Sequence, residues 1–100
     1  MESEYFCFET KKGQIHIEGD IDNSNIHDII SFLVHKKPNI IVMTFLEIDD
    51  GPTLATFISA LREIVPITIV DAPQMLAHTI YKIHAMGNDK VTLKNPRQGP

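Results

Sequence analysis

The run Ile40-Ile41-Val42-Met43-Thr44-Phe45 is apolar at nearly every position, and stretches with helical periodicity stand on both sides of it. A strand wet on one face alternates apolar with polar residues. A run without alternation suggests a strand covered on both faces, as in the middle of a parallel or mixed sheet. The run from Asn39 to Phe45 therefore predicts the central strand of an α/β domain.

The flanking helices follow from spacing. Ile26, Ile29, Ile30, Leu33 and Val34 recur at intervals of one helical turn, behind Asp22-Asn23-Ser24, whose side-chain oxygens can cap a helix. Lys36-Lys37-Pro38 puts cations and a proline at the far end, so a helix is expected near Asn23 to His35. After the central run, Leu46 to Thr53 is rich in turn formers, and Pro52 suits the first turn of a second helix. That helix turns Leu54, Phe57, Ile58, Leu61 and Ile64 or Val65 inward and Arg62 and Glu63 outward. A third stripe, Met75 or Leu76 with Ile80, Ile83 and Met86, follows Asp71-Ala72-Pro73 and stops at Gly87-Asn88.

The remaining segments read as strands. Tyr5 to Glu9 and Gln14 to Ile21 form a hairpin around Thr10-Lys11-Lys12-Gly13, and Ile15, Ile17, Gly19 and Ile21 alternate with polar residues. The aromatics of Tyr5 to Phe8 are dense for an exposed edge, which makes this strand a candidate homodimer surface. Ile67 to Val70 and Lys90 to Lys94 supply two more strands. The expected order is β-β-α-β-α-β-α-β, a mixed sheet with helices packed on it. One domain covers residues 1–95, with a flexible tail over 96–100 whose Pro, Gly and polar composition suggests no tether.

A chain of 100 residues accommodates one core. The net charge of -4 and the scattered cations leave no basic stripe for a phosphate backbone, so nucleic acid is not an expected partner. No apolar run approaches the ~20 residues of a membrane span, and the acidic start Met1-Glu2-Ser3-Glu4 is unlike a signal peptide. A cytoplasmic location without membrane association is expected. The single cysteine, Cys7, excludes an internal disulfide and reads as a buried free thiol.

Chemical motifs are sparse. His16, His27, His35, His78 and His84 have no histidine partner one helical turn away and no cysteine cluster beside them, so no metal site is expected. Nucleophile elbows and phosphate-cradling glycine motifs are missing, and no catalytic residue or cofactor is assigned. Acids at successive strand ends, Asp49, Asp50 and Asp71, leave one enzymatic alternative, a small carboxylate-dependent phosphotransfer or hydrolase domain. N-capping and turn formation explain the same acids without a metal.

The element order and several local sequences resemble the STAS family of anti-sigma-factor-antagonist-like domains, over roughly residues 5 to 94. Gly19-Asp20-Ile21-Asp22 is similar to the family's Gly-x-hydrophobic-Asp at the end of the second strand. Asp50-Gly51-Pro52-Thr53-Leu54 is similar to its Asp-Ser-Ser/Thr-Gly-Leu turn, in a register set by Leu54, Phe57, Ile58 and Leu61 behind it. The third helix and its exit at 86–91 also resemble the family, although that helix is about one turn longer and the loop before Asp50 is shorter. The family's C-terminal helix is not encoded in these residues.

This resemblance implies a non-enzymatic interaction domain in signal transduction and transcription regulation. Its partner would be a regulatory protein such as an anti-sigma factor kinase, bound through the loop and helix around 50–62, with Asp50, Gly51, Pro52, Thr53 and Arg62 as partner-binding residues. Pro52 stands at the family's phosphorylatable position and cannot accept a phosphate. Thr53 is the nearest hydroxyl and the candidate phosphoacceptor, though a capping role is the commoner use of threonine there.

Overall fold

A computed structural model describes residues 4–85 and 90–97, without the side chains of 83–85. Met1 to Ser3, the core positions Ile83 and Met86, His84, the Gly87-Asn88 stop and the last three tail residues lie outside the described side chains. The elements in chain order are β1 (Tyr5–Lys11), β2 (Gln14–Ile21), α1 (Ile26–Lys36), β3 (Ile40–Val42), β4 (Leu46–Ile48), α2 (Pro52–Leu61), β5 (Ile67–Val70), α3 (Gln74–Ala85) and β6 (Val91–Lys94). They form an α/β fold around one mixed six-stranded sheet ordered β1-β2-β3-β5-β6, with β4 paired to β2. Among the described strands only the β1–β2 hairpin is antiparallel; β2–β3, β2–β4, β3–β5 and β5–β6 are parallel.

The central strand expected over Asn39 to Phe45 is shorter, and a separate strand follows it. β3 stops at Val42, and the Leu46 amide donates back to the Met43 carbonyl at 3.1 Å, closing a turn over Thr44-Phe45. The Gly19 amide then donates to the Phe45 carbonyl at 3.0 Å, returning the chain to the sheet beside the second half of β2. At eight residues, β2 is long enough to pair first with β3 and then with β4. Leu46 to Ile48, expected as part of a turn, is therefore a short strand, and the order becomes β-β-α-β-β-α-β-α-β.

Helix α1 begins at Ile26, later than the expected Asn23, because the polar residues before it serve the loop. Asp22 Oδ1 accepts from the Ser24 amide at 2.8 Å and its hydroxyl at 2.5 Å. Asn25, 5 % exposed, accepts from the Asp22 amide at 3.0 Å and donates to the Asp20 carbonyl at 2.8 Å. The helix ends as expected, with Lys37 left-handed at φ 49° and its amide on the Leu33 carbonyl.

One core lies on one side of the sheet. Ile15, Ile17, Ile41 and Ile69 are fully buried there beneath Ile29 and Leu33 of α1, Phe57 and Leu61 of α2, and Leu76 of α3. Of the two expected α3 residues, Leu76 faces the core and Met75 is exposed. Burying this much apolar surface is the main favourable term in folding. The opposite face is not covered by any described element. Ile40 and Val42 are half-exposed and lie outside the core cluster, which corrects the expectation of a central strand covered on both faces.

Gly19 has a backbone requirement. Its φ is +103°, and a Cβ there would meet the Glu4 carbonyl oxygen at 2.3 Å and the Tyr5 Cα at 2.8 Å, so only glycine lets β1 lie this close. Cys7 points to the core side of β1, yet it is only half-buried because β1 is the sheet edge. Burial still pushes its thiol pKa up to about 11.

Candidate functional site

The candidate site is the connection from β4 into α2. The Asp49 amide donates to the Ile21 carbonyl at 2.9 Å, tying the loop to the end of β2. Asp50 Oδ1 accepts from the Gly51 amide at 2.7 Å. Gly51 adopts φ 78°, and nothing lies within 4 Å of a Cβ added there, so glycine serves the backbone angle and not a tight contact. Pro52 opens α2, where its fixed φ suits the first turn and its missing N–H costs nothing. The Ala55 amide makes the first helical bond, to the Gly51 carbonyl at 3.0 Å.

The five residues assigned to partner binding do not all share one surface. Asp50, Gly51, Pro52 and Arg62 are exposed, whereas Thr53 is 2 % exposed and its hydroxyl donates to Asn23 Oδ1 at 2.6 Å. Thr53 thus faces inward and joins α2 to the β2–α1 loop, so it corrects the placement of this residue on the exposed face. A phosphate on its oxygen would have to break that bond and leave the buried position.

Along α2 the exposed residues are Pro52, Ala55 and Ser59, with Arg62 just beyond the last turn. Their intervals of three and four residues put them on one flank of the helix, roughly 15 Å long, opposite the buried Leu54, Phe57, Ile58 and Leu61. The flank has small side chains in the middle, an acidic turn at one end and a cation at the other. Glu63 is also exposed and Ile64 buried, as the spacing predicts.

At the carboxyl end of the sheet the carboxylates of Asp50 and Asp71 each accept a separate local hydrogen bond. Asp71, left-handed at φ 58°, accepts the Thr44 hydroxyl on Oδ2 at 2.7 Å. Among the described residues no three His, Cys, Asp or Glu side chains are placed to hold a metal ion, so Asp49, Asp50 and Asp71 do not form such a group. His27, His35 and His78 are exposed, and His16 stacks on Phe8 with ring centres 5.4 Å apart.

Two residues escaped the sequence reading. Asn23, one of three side chains able to cap α1, instead holds Thr53. Arg97, expected in the flexible tail, reaches back into the gap where β3 and β4 part. Its guanidinium donates to the carbonyls of Asp71 at 3.2 Å, Met43 at 3.0 Å and Leu46, and pairs with Glu47 at 3.3 Å. Its amide donates to the Ala72 carbonyl at 2.9 Å. A lone arginine in a Pro- and Gly-rich stretch carries no periodicity that could have signalled this. Away from this end, Asn39, Pro66, Ile67, Thr68, Lys90 and Thr92 line an open depression of about 380 Å³ around the starts of β5 and β6.

Among the described residues no helix is long and apolar enough to cross a membrane. No family model matches the chain, and no curated protein matches it.

Proposed function

We propose that this chain is a non-enzymatic, STAS-like interaction domain of the cytoplasm that regulates a partner protein by binding it through the Asp50-Gly51-Pro52 turn and the exposed flank of α2. The observation that carries this reading is the continuity of that surface. A turn pinned to β2 through Asp49 runs directly into a flank of Pro52, Ala55, Ser59 and Arg62 that no other described element covers. Small side chains let a partner backbone come close, while the acidic turn and Arg62 give the contact polarity and orientation. The partner is a regulatory protein of the anti-sigma-factor-kinase type, and no cofactor takes part.

Binding here is not switched by phosphate at the family's position, because Pro52 has no hydroxyl and that of Thr53 is already engaged with Asn23. Photoactivatable crosslinkers placed singly at Ser59 and, as a control, at exposed His78 of α3 test the surface. Adducts with a regulatory protein are expected from Ser59 alone. Identical adducts from both positions, or none from Ser59, would reject it.

A further inference from the structure

The parallel strands give the molecule two unlike ends. β2, β3, β5 and β6 all start at one of them, and backbone bonds tie their first residues together. The Asn39 and Ile40 amides donate to the Gly13 carbonyl at 2.8 and 3.0 Å, the Thr68 amide to the Asn39 carbonyl at 2.9 Å, and the Ile67 amide to the Lys90 carbonyl at 3.1 Å. From Gly13 to Lys90 this row spans about 14 Å at ordinary strand spacing. Cations scattered along the sequence collect here: Lys11 and Lys12 at the hairpin turn, Lys36 and Lys37 at the end of α1, and Lys90 before β6. Arg62 and Lys82, at the ends of α2 and α3, join them. They outnumber Glu9 and Glu63 at this end, even with Asp89, which lies outside the described residues, counted beside Lys90. The carboxyl ends of the strands instead carry Asp20, Asp22, Glu47, Asp49, Asp50 and Asp71, so a net charge of -4 conceals a positive end.

The open depression around the starts of β5 and β6 lies at this positive end. Its polar lining is made of donors: the Asn39 amide, the hydroxyls of Thr68 and Thr92, and the Lys90 ammonium. None of these four side chains has a hydrogen bond or ion pair with a described residue. Thr68 and Thr92 are register partners on adjacent parallel strands, so their side chains project to the same side about 5 Å apart. A Cβ on Gly13 would meet Asn39 Nδ2 at 3.0 Å, so that amide is held against the hairpin turn. Lys36 has ordinary employment, at the negative end of α1 and 4.0 Å from Glu9. Lys12 and Lys90 stand on no helix, and among the described residues neither they nor Lys37 form an ion pair.

We propose that this depression binds a small soluble molecule carrying two linked phosphate groups, one among Asn39, Thr68, Lys90 and Thr92 and the other toward Lys12 and Lys37. A terminal phosphate offers three acceptor oxygens and about two negative charges to converging donors, whereas a carboxylate offers two oxygens and one charge. The volume of about 380 Å³ suits a small molecule, and Pro66 and Ile67 give its organic part an apolar wall. The site lies at the end of the sheet away from the Asp50 turn, so it stands independently of the partner and of its binding surface.

Titration of the full chain with inorganic pyrophosphate, followed by the NMR shifts of each residue, tests the proposal. Saturable shifts are expected at Asn39, Thr68, Lys90 and Thr92, and sodium chloride of matched ionic strength should not reproduce them. Lys90→Gln should weaken binding about threefold to tenfold, and Thr68→Val or the pair Lys12→Gln with Lys37→Gln about twofold to fivefold. Lys94→Gln, at the other end of β6, should leave it unchanged. The spectrum of each variant reports at once whether it has folded, and Lys90, Lys12 and Lys37 are exposed. Shifts that do not saturate, shifts that sodium chloride reproduces, or a Lys90→Gln chain that binds as tightly as the native one would overturn the site. Co-sedimentation with vesicles containing phosphatidylinositol bisphosphate, without any binding of pyrophosphate, would place the phosphate on a lipid surface and equally overturn the soluble ligand.

Discussion

Ile41 and Val42 are neighbours in β3, yet the first is fully buried and the second half-exposed, because successive side chains of a strand project to opposite faces. The same division runs through β2, where Ile15 and Ile17 lie in the core while His16 and Glu18 look the other way. Among the described residues, one face is closed by three helices of the chain itself and the other, of mixed character, is left open. In a 100-residue domain the helices suffice to bury one face, and a second apolar face is a surface available for association.

That contrast makes its largest claim on stability. Ile41→Ala should cost about 2–5 kcal/mol in urea unfolding, because it opens a cavity in packed surroundings. Val42→Ala should cost under about 1 kcal/mol when measured at concentrations where the chain is monomeric. Similar losses at the two positions would erase the distinction between the faces.

Next comes the gap between β3 and β4. Arg97→Ala removes the guanidinium from the carbonyls of Met43, Leu46 and Asp71, and should cost about 1–3 kcal/mol with faster amide exchange in β4. Arg97→Lys should recover only part of this, since an ammonium cannot reproduce the planar fork. No loss on removing Arg97 would show that the sheet end is closed by β4 pairing alone.

Smaller again is the tie between α2 and the β2–α1 loop. Thr53→Val keeps the shape and removes one hydrogen bond to Asn23, with an expected cost of about 0.5–1.5 kcal/mol; Thr53→Ser should be milder. Incubation with candidate kinases, read by intact mass, should leave the native fold without phosphate at Thr53.

The smallest effect belongs to Cys7, on the core side of the edge strand. Its thiol pKa rises from 9.0 to about 11 through burial, so the fold favours the neutral form. The associated stability is fully present below pH 9.0 and declines as pH rises through about 11, because the unfolded chain loses its proton first. At pH 8, thiol-specific alkylation should be slower in the folded chain than in urea.

Periodicity made the three helices, the hairpin and most core residues legible, since Ile29, Leu33, Phe57, Leu61 and Ile80 each recur at helical spacing and are buried. The apolar run of β3 was legible as a strand and misleading about its cover, because residue chemistry records that a side chain can be buried without saying by what. β4 was lost because three residues offer only one alternation, Leu46 and Ile48 around Glu47. At the candidate site, Gly51 and Pro52 are backbone signals that sequence alone carries. The inward turn of Thr53 and the reach of Arg97 depend on contacts 30 and 26 to 54 residues apart in sequence, which no local pattern encodes.

The most direct test of the proposed function is the dissociation constant of the protein captured through Ser59, measured against the native chain, Ala55→Arg and Val42→Ser. Ala55 is exposed at the centre of the α2 flank, so an arginine there obstructs a partner without disturbing the core. Affinity should fall at least about tenfold for Ala55→Arg and stay unchanged for Val42→Ser. Equal affinities for the native chain and Ala55→Arg would contradict binding through α2.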